Sequence, residues 1–251
     1  MWLVLCSSAD PSGLWAYQGL RQLGLAPLEL LTTESLACSR RWEHRVSSTR
    51  TDLKITLSNG KVIDSAQIRG ALNRLHAPSR FSSQRAVTSD RSYAEAEQMA
   101  FYLSWLNGLP GVVINRPRPS GLCGSWLHPS EWHLQAGRAG FRTPVYRQDS
   151  QDPASQTSAG PQSCRSVARK SRQSLIALRG QVYGGAVPGS VAQACSRLAA
   201  EIGTEMLGVD VSLNDRGEWA FAGAMPAPDL RPGGTPLLRS LAQILMQGER
   251  Q

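Results

Sequence analysis

The 251-residue chain predicts an α/β fold in two parts, and three stretches carry that expectation. First, "WLVLC", "SGLWAYQGLRQLGL" and "PLELLT" read as strand, helix and strand: an apolar run, then Leu14, Leu20 and Leu23 at helical spacings, then a second apolar run. Second, "VDVSLN" and "EWAFAGAMP", either side of the turn "DRG", read as a late pair of antiparallel strands. Third, residues 148–174 hold almost no large apolar side chain and are rich in Ser, Gln and Arg, which predicts a flexible polar linker. The chain as a whole is 41% hydrophobic and 18% charged, an ordinary globular composition, so this polarity is local.

The opening unit suggests a parallel sheet of Rossmann-like type, but its connection "SSADPSG" lacks the G-x-G-x-x-G that cradles a dinucleotide, and no dinucleotide is expected. "DLKITLSNGKVIDSAQI" alternates Leu53, Ile55 and Leu57 with polar residues and turns at Asn59-Gly60, so it reads as a hairpin. "AQIRGALNRL" follows as a further strand. "SDRSYAEAEQMAFYLSWLNGLPG" has a capping residue, good helix formers and a Gly-Leu-Pro-Gly stop. "VVINRP" is a buried strand ended by proline. "HPSEWHLQAGRAG" opens a helix with Pro129 in its first turn and Glu131 near the free N–H groups, and Gly140 stops it. Beyond the linker come a hairpin, "SLIALRGQVYGGAVPG", a helix, "SVAQACSRLAAEIGTEML", the two late strands and a closing helix, "TPLLRSLAQILMQG". The expected division is a leading domain over 1–117, a helical connector over 118–147, the linker over 148–174 and a C-terminal subdomain over 175–251.

Several chemistries can be weighed directly. The net charge of +8 comes almost wholly from arginine, because the lysines are Lys54, Lys61 and Lys170. Such a balance suits nucleic acid or an acidic partner, and equally a GC-rich genome. Arg165, Arg169, Lys170 and Arg172, with Arg179 beyond, are candidate contacts to phosphate or an acidic partner, against the plain alternative of solvated linker charges. Five scattered cysteines without a C-x-x-C pair indicate neither a disulfide framework nor a zinc site, and a reducing cytoplasm fits them. Cys6 and Cys195 sit in apolar contexts and read as core. His128 and His133 are five apart, about 140° around a helix, which argues against a metal helix that includes Glu131. Gly180, Gly184, Gly185 and Gly189 lack the lysine and hydroxyl of a phosphate loop and read as hairpin turns. No run approaches a membrane span.

The pattern "MLGVDVSLNDRGEWAFAGAMPAPDL" resembles the end of an ATP-grasp ligase, where a G-x-D strand, a turn and a strand of the form Phe-x-Glu-x-Asn-x-x-P follow one another. "VVINRPRPSGLCGSWLHPSEWHLQAGRAGFRTPVY" is similar to the branch of that family that modifies ribosomal peptides, with its asparagine-arginine-proline strand, lead helix and exit. The resemblance covers nearly the whole chain. It implies a Rossmann-like leading domain followed by a truncated ATP-grasp-like α+β part. It also implies a chemistry in which ATP and magnesium turn a carboxylate into an acyl phosphate that an amine displaces. Asp210 matches the first acidic position, but the glutamate falls on Gly223 and the asparagine on Met225. Where the family has a phosphate-contacting lysine the chain has His128-Pro129-Ser130, and the lid is replaced by the polar linker.

A degenerate, non-catalytic relative is therefore expected, with no catalytic residue, no bound metal and no cofactor. Its expected partners are an active homologue, a peptide or a carrier protein, and a homo-oligomer is compatible. The alternative is an active carboxylate-amine ligase that uses ATP and Mg²⁺ at a reduced site around Asp210. A nucleic-acid-binding protein ranks third, since few aromatics accompany the arginines.

Overall fold

A computed structural model describes residues 1–48, 51–78, 87–147, 172–214 and 216–247. The chain forms two compact units: one holds residues 1–124 together with the C-terminal stretch from Thr235, the other residues 125–234.

In the first unit the apolar runs form the expected parallel sheet. β1 (Trp2–Cys6) is buried along its whole length. It is followed by α1 (Pro11–Gln22), β2 (Leu28–Thr32) and the short α2 (Thr33–Ala37). β3 (Arg41–Val46), β4 (Thr51–Thr56) and β5 (Val62–Asp64) make a separate antiparallel sheet. β6 (Gly70–Asn73), α3 (Arg91–Asn107) and β7 (Val112–Ile114) complete the parallel sheet, in the order β2-β1-β6-β7. One core joins Leu3, Leu5 and Leu31 of this sheet to Leu53, Ile55 and Ile63 of the other, with Tyr102, Trp105 and Leu106 of α3. The strand over residues 41–46 is not among the expected elements. Its Trp42 packs edge-on against Phe101 and Trp105, while Arg41, Glu43 and Arg45 form the alternate, charged row.

The helix Gly234–Gln247 was expected in the C-terminal subdomain, yet it packs into the first unit. The physical reason is close fit. Trp2 Nε1 donates to the Leu245 carbonyl at 3.2 Å, and Gly19 of α1 leaves so little room that a Cβ there would come within 2.4 Å of Leu238.

The carboxyl ends of β1, β2 and β6 are tied together by charge. Asp10 caps α1, accepting the N–H groups of Ser12 and Gly13 at 3.1 and 3.0 Å. Arg74, just past β6, grips the same carboxylate through Nε at 2.7 Å and Nη2 at 3.2 Å, and is only 3% exposed. Burial alone would raise the Asp10 carboxyl, but the Arg74 hydrogen bonds and charge, with the Gly13 and Ser12 N–H groups, hold it below the usual aspartate range. In a fold that elsewhere offers this helix end to phosphates, the anion here is the protein's own. Glu34 repeats the device: burial raises its carboxyl, yet bonds led by the Ser8 N–H, 2.9 Å away, bring it to about 2. Asn73 closes the cluster, donating to the Asn115 and Leu122 carbonyls at 2.9 and 2.6 Å.

The second unit is an antiparallel sheet under two helices. α4 (Pro129–Arg138) comes first, then β8 (Arg172–Leu178), β9 (Gln181–Tyr183), α5 (Gly189–Ile202), β10 (Met206–Leu213) and β11 (Trp219–Met225), with strand order β11-β10-β8-β9. The helix Gly234–Gln247 is α6. The core joins Leu175, Val209, Val211 and Phe221 of the sheet to Trp132 and Ala136 of α4 and Cys195 and Leu198 of α5. Burial pushes the Cys195 thiol up to about 12, and Cys6 likewise, so both are neutral packing residues. Strand β8 also corrects the linker boundary of 174: Arg172, Gln173 and Ser174 pair with Ser212, Val211 and Asp210. Their polarity concealed a strand because two of the three side chains serve Asp210 and not the core.

Arg74→Ala leaves a largely buried carboxylate without its counter-charge, and urea unfolding is expected to show a loss of about 3–5 kcal/mol. The Asp10 pKa is lower in the folded chain than in the unfolded one, so the unfolded chain protonates first as pH falls. Stability from this group is full above the ordinary aspartate value of about 3.9 and drains as pH falls through the lowered folded one. In acid titrations Asp10→Asn is expected to remove that part of the slope.

Candidate functional site

β10 lies between β8 and β11, and its register decides what stands beside Asp210. Ser174 is opposite on β8 and Gly223 opposite on β11. Directly opposed residues share a face, so these three project together, while Val209 and Val211 turn into the helix-covered core on the other side. A β-bulge between Asp210 and Val211 leaves Ala222 as the extra residue of β11 and re-aims the strand end beyond it.

The Asp210 carboxylate is already engaged. Ser174 Oγ donates to Oδ1 and Arg172 Nη2 to Oδ2, both at 2.6 Å. The Asp210 side chain is 18% exposed and that of Arg172 is 50% exposed, so this is a half-solvated pair worth at most about 1 kcal/mol. Gly223 has no side chain to add, and a Cβ built on it meets nothing within 4 Å. Met225 stands opposite Gly208, one pair further along the same face.

A shallow cavity of about 60 Å³ runs along this end of β11. Its walls are Pro129, Trp132 and His133 of α4, residues 221–225 of β11, and Asp210. His133 Nδ1 is 2.9 Å from the Pro129 carbonyl. A carbonyl only accepts, so Nδ1 carries the proton. The ring meets Phe221 edge-on at 5.5 Å and Tyr146 at 5.2 Å. His128 and Glu131 are spent on the start of α4: the His128 side chain accepts the Ser130 N–H, and Glu131 accepts the His128 N–H at 3.2 Å. The three residues of "HPSEWH" do not converge on one point. Among the described residues, no group of three or more His, Cys, Asp and Glu side chains is placed to hold a metal ion.

The candidate cationic cluster is not assembled where it can be followed. Arg165, Arg169 and Lys170 lie outside the described residues. Arg172 is committed to Asp210, and Arg179 sits past the far end of β8, about 20 Å along the strand. There Arg179 and Gly180 have φ of 45° and 86°, the left-handed pair of a tight hairpin turn, and the Arg179 N–H donates to the Glu205 carbonyl at 3.0 Å.

No protein-family model matches the chain, and no curated protein matches it in sequence. Solved structures do match in three dimensions. The macrocyclase MdnC of Microcystis aeruginosa MRC, bound with the precursor peptide MdnA, is 11% identical, with a TM-score of 0.73 over 98% of this chain and 100% of that one. A RiPP-associated ATP-grasp ligase of Chryseobacterium gregarium, in complex with ADP and a leader and core peptide, is 9% identical, with a TM-score of 0.69 over 98% of this chain and 96% of its own. The fold is that of the ATP-grasp ligases. The ATP-grasp ligase PsnB, complexed with minimal precursor, Mg and ADP, is 14% identical, with a TM-score of 0.66 over 100% of this chain and 98% of its own. The expected fold class, an α/β chain with a Rossmann-like lead and an ATP-grasp-like second part, is thus borne out.

Magnesium requires hard oxygen ligands, commonly several carboxylate and amide oxygens together. Of the three positions that the resemblance pairs with metal ligands, Asp210 alone carries an oxygen, and both of its oxygens accept from Ser174 and Arg172. Gly223 and Met225 supply none. These three side chains thus offer a single carboxylate, fewer oxygens than a magnesium site commonly uses. Sequence reasoning found these positions, named Arg172 as a contact to phosphate or an acidic partner and not to Asp210, weighed His133 only as a metal ligand, and missed Ser174. The only advance sign was that "RQS" runs without a break into the apolar "LIAL", so the strand could have been extended backwards.

Two measurements follow. Arg172→Gln is expected to cost less than about 1 kcal/mol in thermal unfolding, because the pair is half exposed. Gly223→Glu together with Met225→Asn is expected to fold, since the new Cβ meets open space, but with a lower Tm because two carboxylates then face each other across β10 and β11. Millimolar Mn²⁺ is expected to restore that Tm while leaving the unmodified chain's Tm unchanged.

Proposed function

We propose that this chain is a non-catalytic protein of the ATP-grasp fold, acting as a binding partner for a peptide in a peptide-modifying pathway. One observation carries the reading: at Asp210, which the resemblance pairs with the first acidic position, the carboxylate has a built-in arginine, Arg172, as its counter-charge. Charge compensation by metal is what lets such a site hold polyphosphate and stabilise transferring phosphoryl groups. An ion pair with no second ligand beside it does not offer that. The peptide part of the reading is supported by structural neighbours solved with precursor or with leader and core peptides.

The decisive test is differential scanning fluorimetry with ATP and magnesium, paired with an ATP-hydrolysis assay in the presence of candidate carboxylates and amines. No shift in Tm and no turnover are expected. Turnover that disappears in Asp210→Asn would overturn the proposal in favour of an active ligase with a reduced site.

A further inference from the structure

The cavity beside β11 is bordered by Trp132 and His133 from the helix side and by Asp210, which projects on the opposite side, together with residues 221–225 of β11 itself. β11 is an outermost strand, hydrogen-bonded to β10 on its inner side. Among the described residues its outer edge receives one backbone bond, from the Phe221 N–H to the Arg142 carbonyl at 2.9 Å. Arg142 belongs to the stretch after α4 that forms neither helix nor strand, and makes an ion pair of 2.6 Å with Glu218. One main-chain carbonyl therefore already meets the first half of this edge.

The second half differs. Phe221 turns its N–H outward opposite Val211, so Asp210 faces β11 and its partner Gly223 faces β10. Ladder alternation then turns the N–H and C=O of Ala224, opposite Val209, outward again. No other bond within the described residues engages Ala222, Gly223 or Ala224 from outside. Small residues and a glycine in a strand mark a place where another backbone can come close. Beside them, the 60 Å³ cavity between Trp132 and Met225 has room for one small side chain.

We infer that the edge of β11 from Ala222 to Met225 is a docking site for an extended peptide, which adds a strand to the sheet and seats one side chain against Trp132 and His133. This rests on the peptide-partner reading above and assigns it a place. An extended peptide is the occupant because what the edge presents is a main-chain donor and acceptor pair, next to a point where the same edge already bonds a main-chain carbonyl, and backed by an apolar slot. That is the pattern of strand addition, in which backbone bonds give affinity and alternate side chains give selectivity.

The test uses the full chain and phage-displayed random decapeptides selected on it. Ala224→Pro removes the outward N–H while sparing the bonds to β10, a substitution that edge strands tolerate. Gly189→Ala, at the start of α5 and outside this edge, whose added Cβ meets nothing within 4 Å, is the control. Selected peptides are expected to bind Ala224→Pro at least tenfold more weakly and Gly189→Ala within about twofold, with both variants unfolding within a few degrees of the parent. Hydrogen exchange at Ala224 is expected to slow on peptide addition. Equal binding to Ala224→Pro would overturn the assignment of the edge while leaving the peptide reading standing. Failure to select any binder would overturn both. Protection of Ala224 that depends on protein concentration without peptide would show that a second copy of the chain takes the edge, and would also overturn the assignment.

Discussion

The second unit is governed by the period-two alternation of β10. Val209 and Val211 must enter the core that α4 and α5 cover, and this forces Asp210 between them onto the opposite face. No other placement is available, because a one-residue slip would bury the carboxylate and expose both valines. Once Asp210 is fixed, its neighbours are fixed as well: Ser174 from β8 and Gly223 from β11. The bulge at Ala222 then adjusts how the last residues of β11 meet α4. Fold and site are thus one decision, taken by a few apolar residues on a central strand.

Both units answer an acid with an arginine, but the energetics differ. Arg74 and Asp10 are nearly sealed from water and joined by two hydrogen bonds, so each depends on the other, and losing one strands a buried charge. Arg172 and Asp210 meet at the surface, where solvent already screens the charges and the pair contributes little to stability. Its importance is chemical. It engages the carboxylate together with Ser174, so that both oxygens accept hydrogen bonds, in a fold whose solved neighbour PsnB was complexed with Mg and ADP.

Much of this architecture was legible in the sequence because it rests on apolar periodicity. The β-α-β opening, the hairpin at Asn59-Gly60, the long helix ending at Gly108 and the paired strands around Asp210 follow from spacing and turn residues alone. What escaped was set by tertiary pairing. Arg172 and Ser174 look like linker until Asp210, 38 and 36 positions on, is placed beside them. The strand over 41–46 alternates charged residues with Trp42 and His44, and reads as a strand once the aromatic cluster behind it is known. The Asp10–Arg74 pair spans 64 residues and two different strand ends, which no local pattern announces. Gly223 and Met225 were visible as departures from a pattern, but the open space around Gly223 and the cavity beside it emerged from the fold.

Helix α6 joins the two ends of the chain: Leu245 accepts a hydrogen bond from Trp2, 243 residues earlier. In chain order the second unit is complete by residue 234, ahead of the residues that finish the first one. The parallel sheet therefore keeps Trp2 and Gly19 uncovered until residues 235–247 have joined it. The unit that opens the chain is closed only by residues that follow the whole of the second unit.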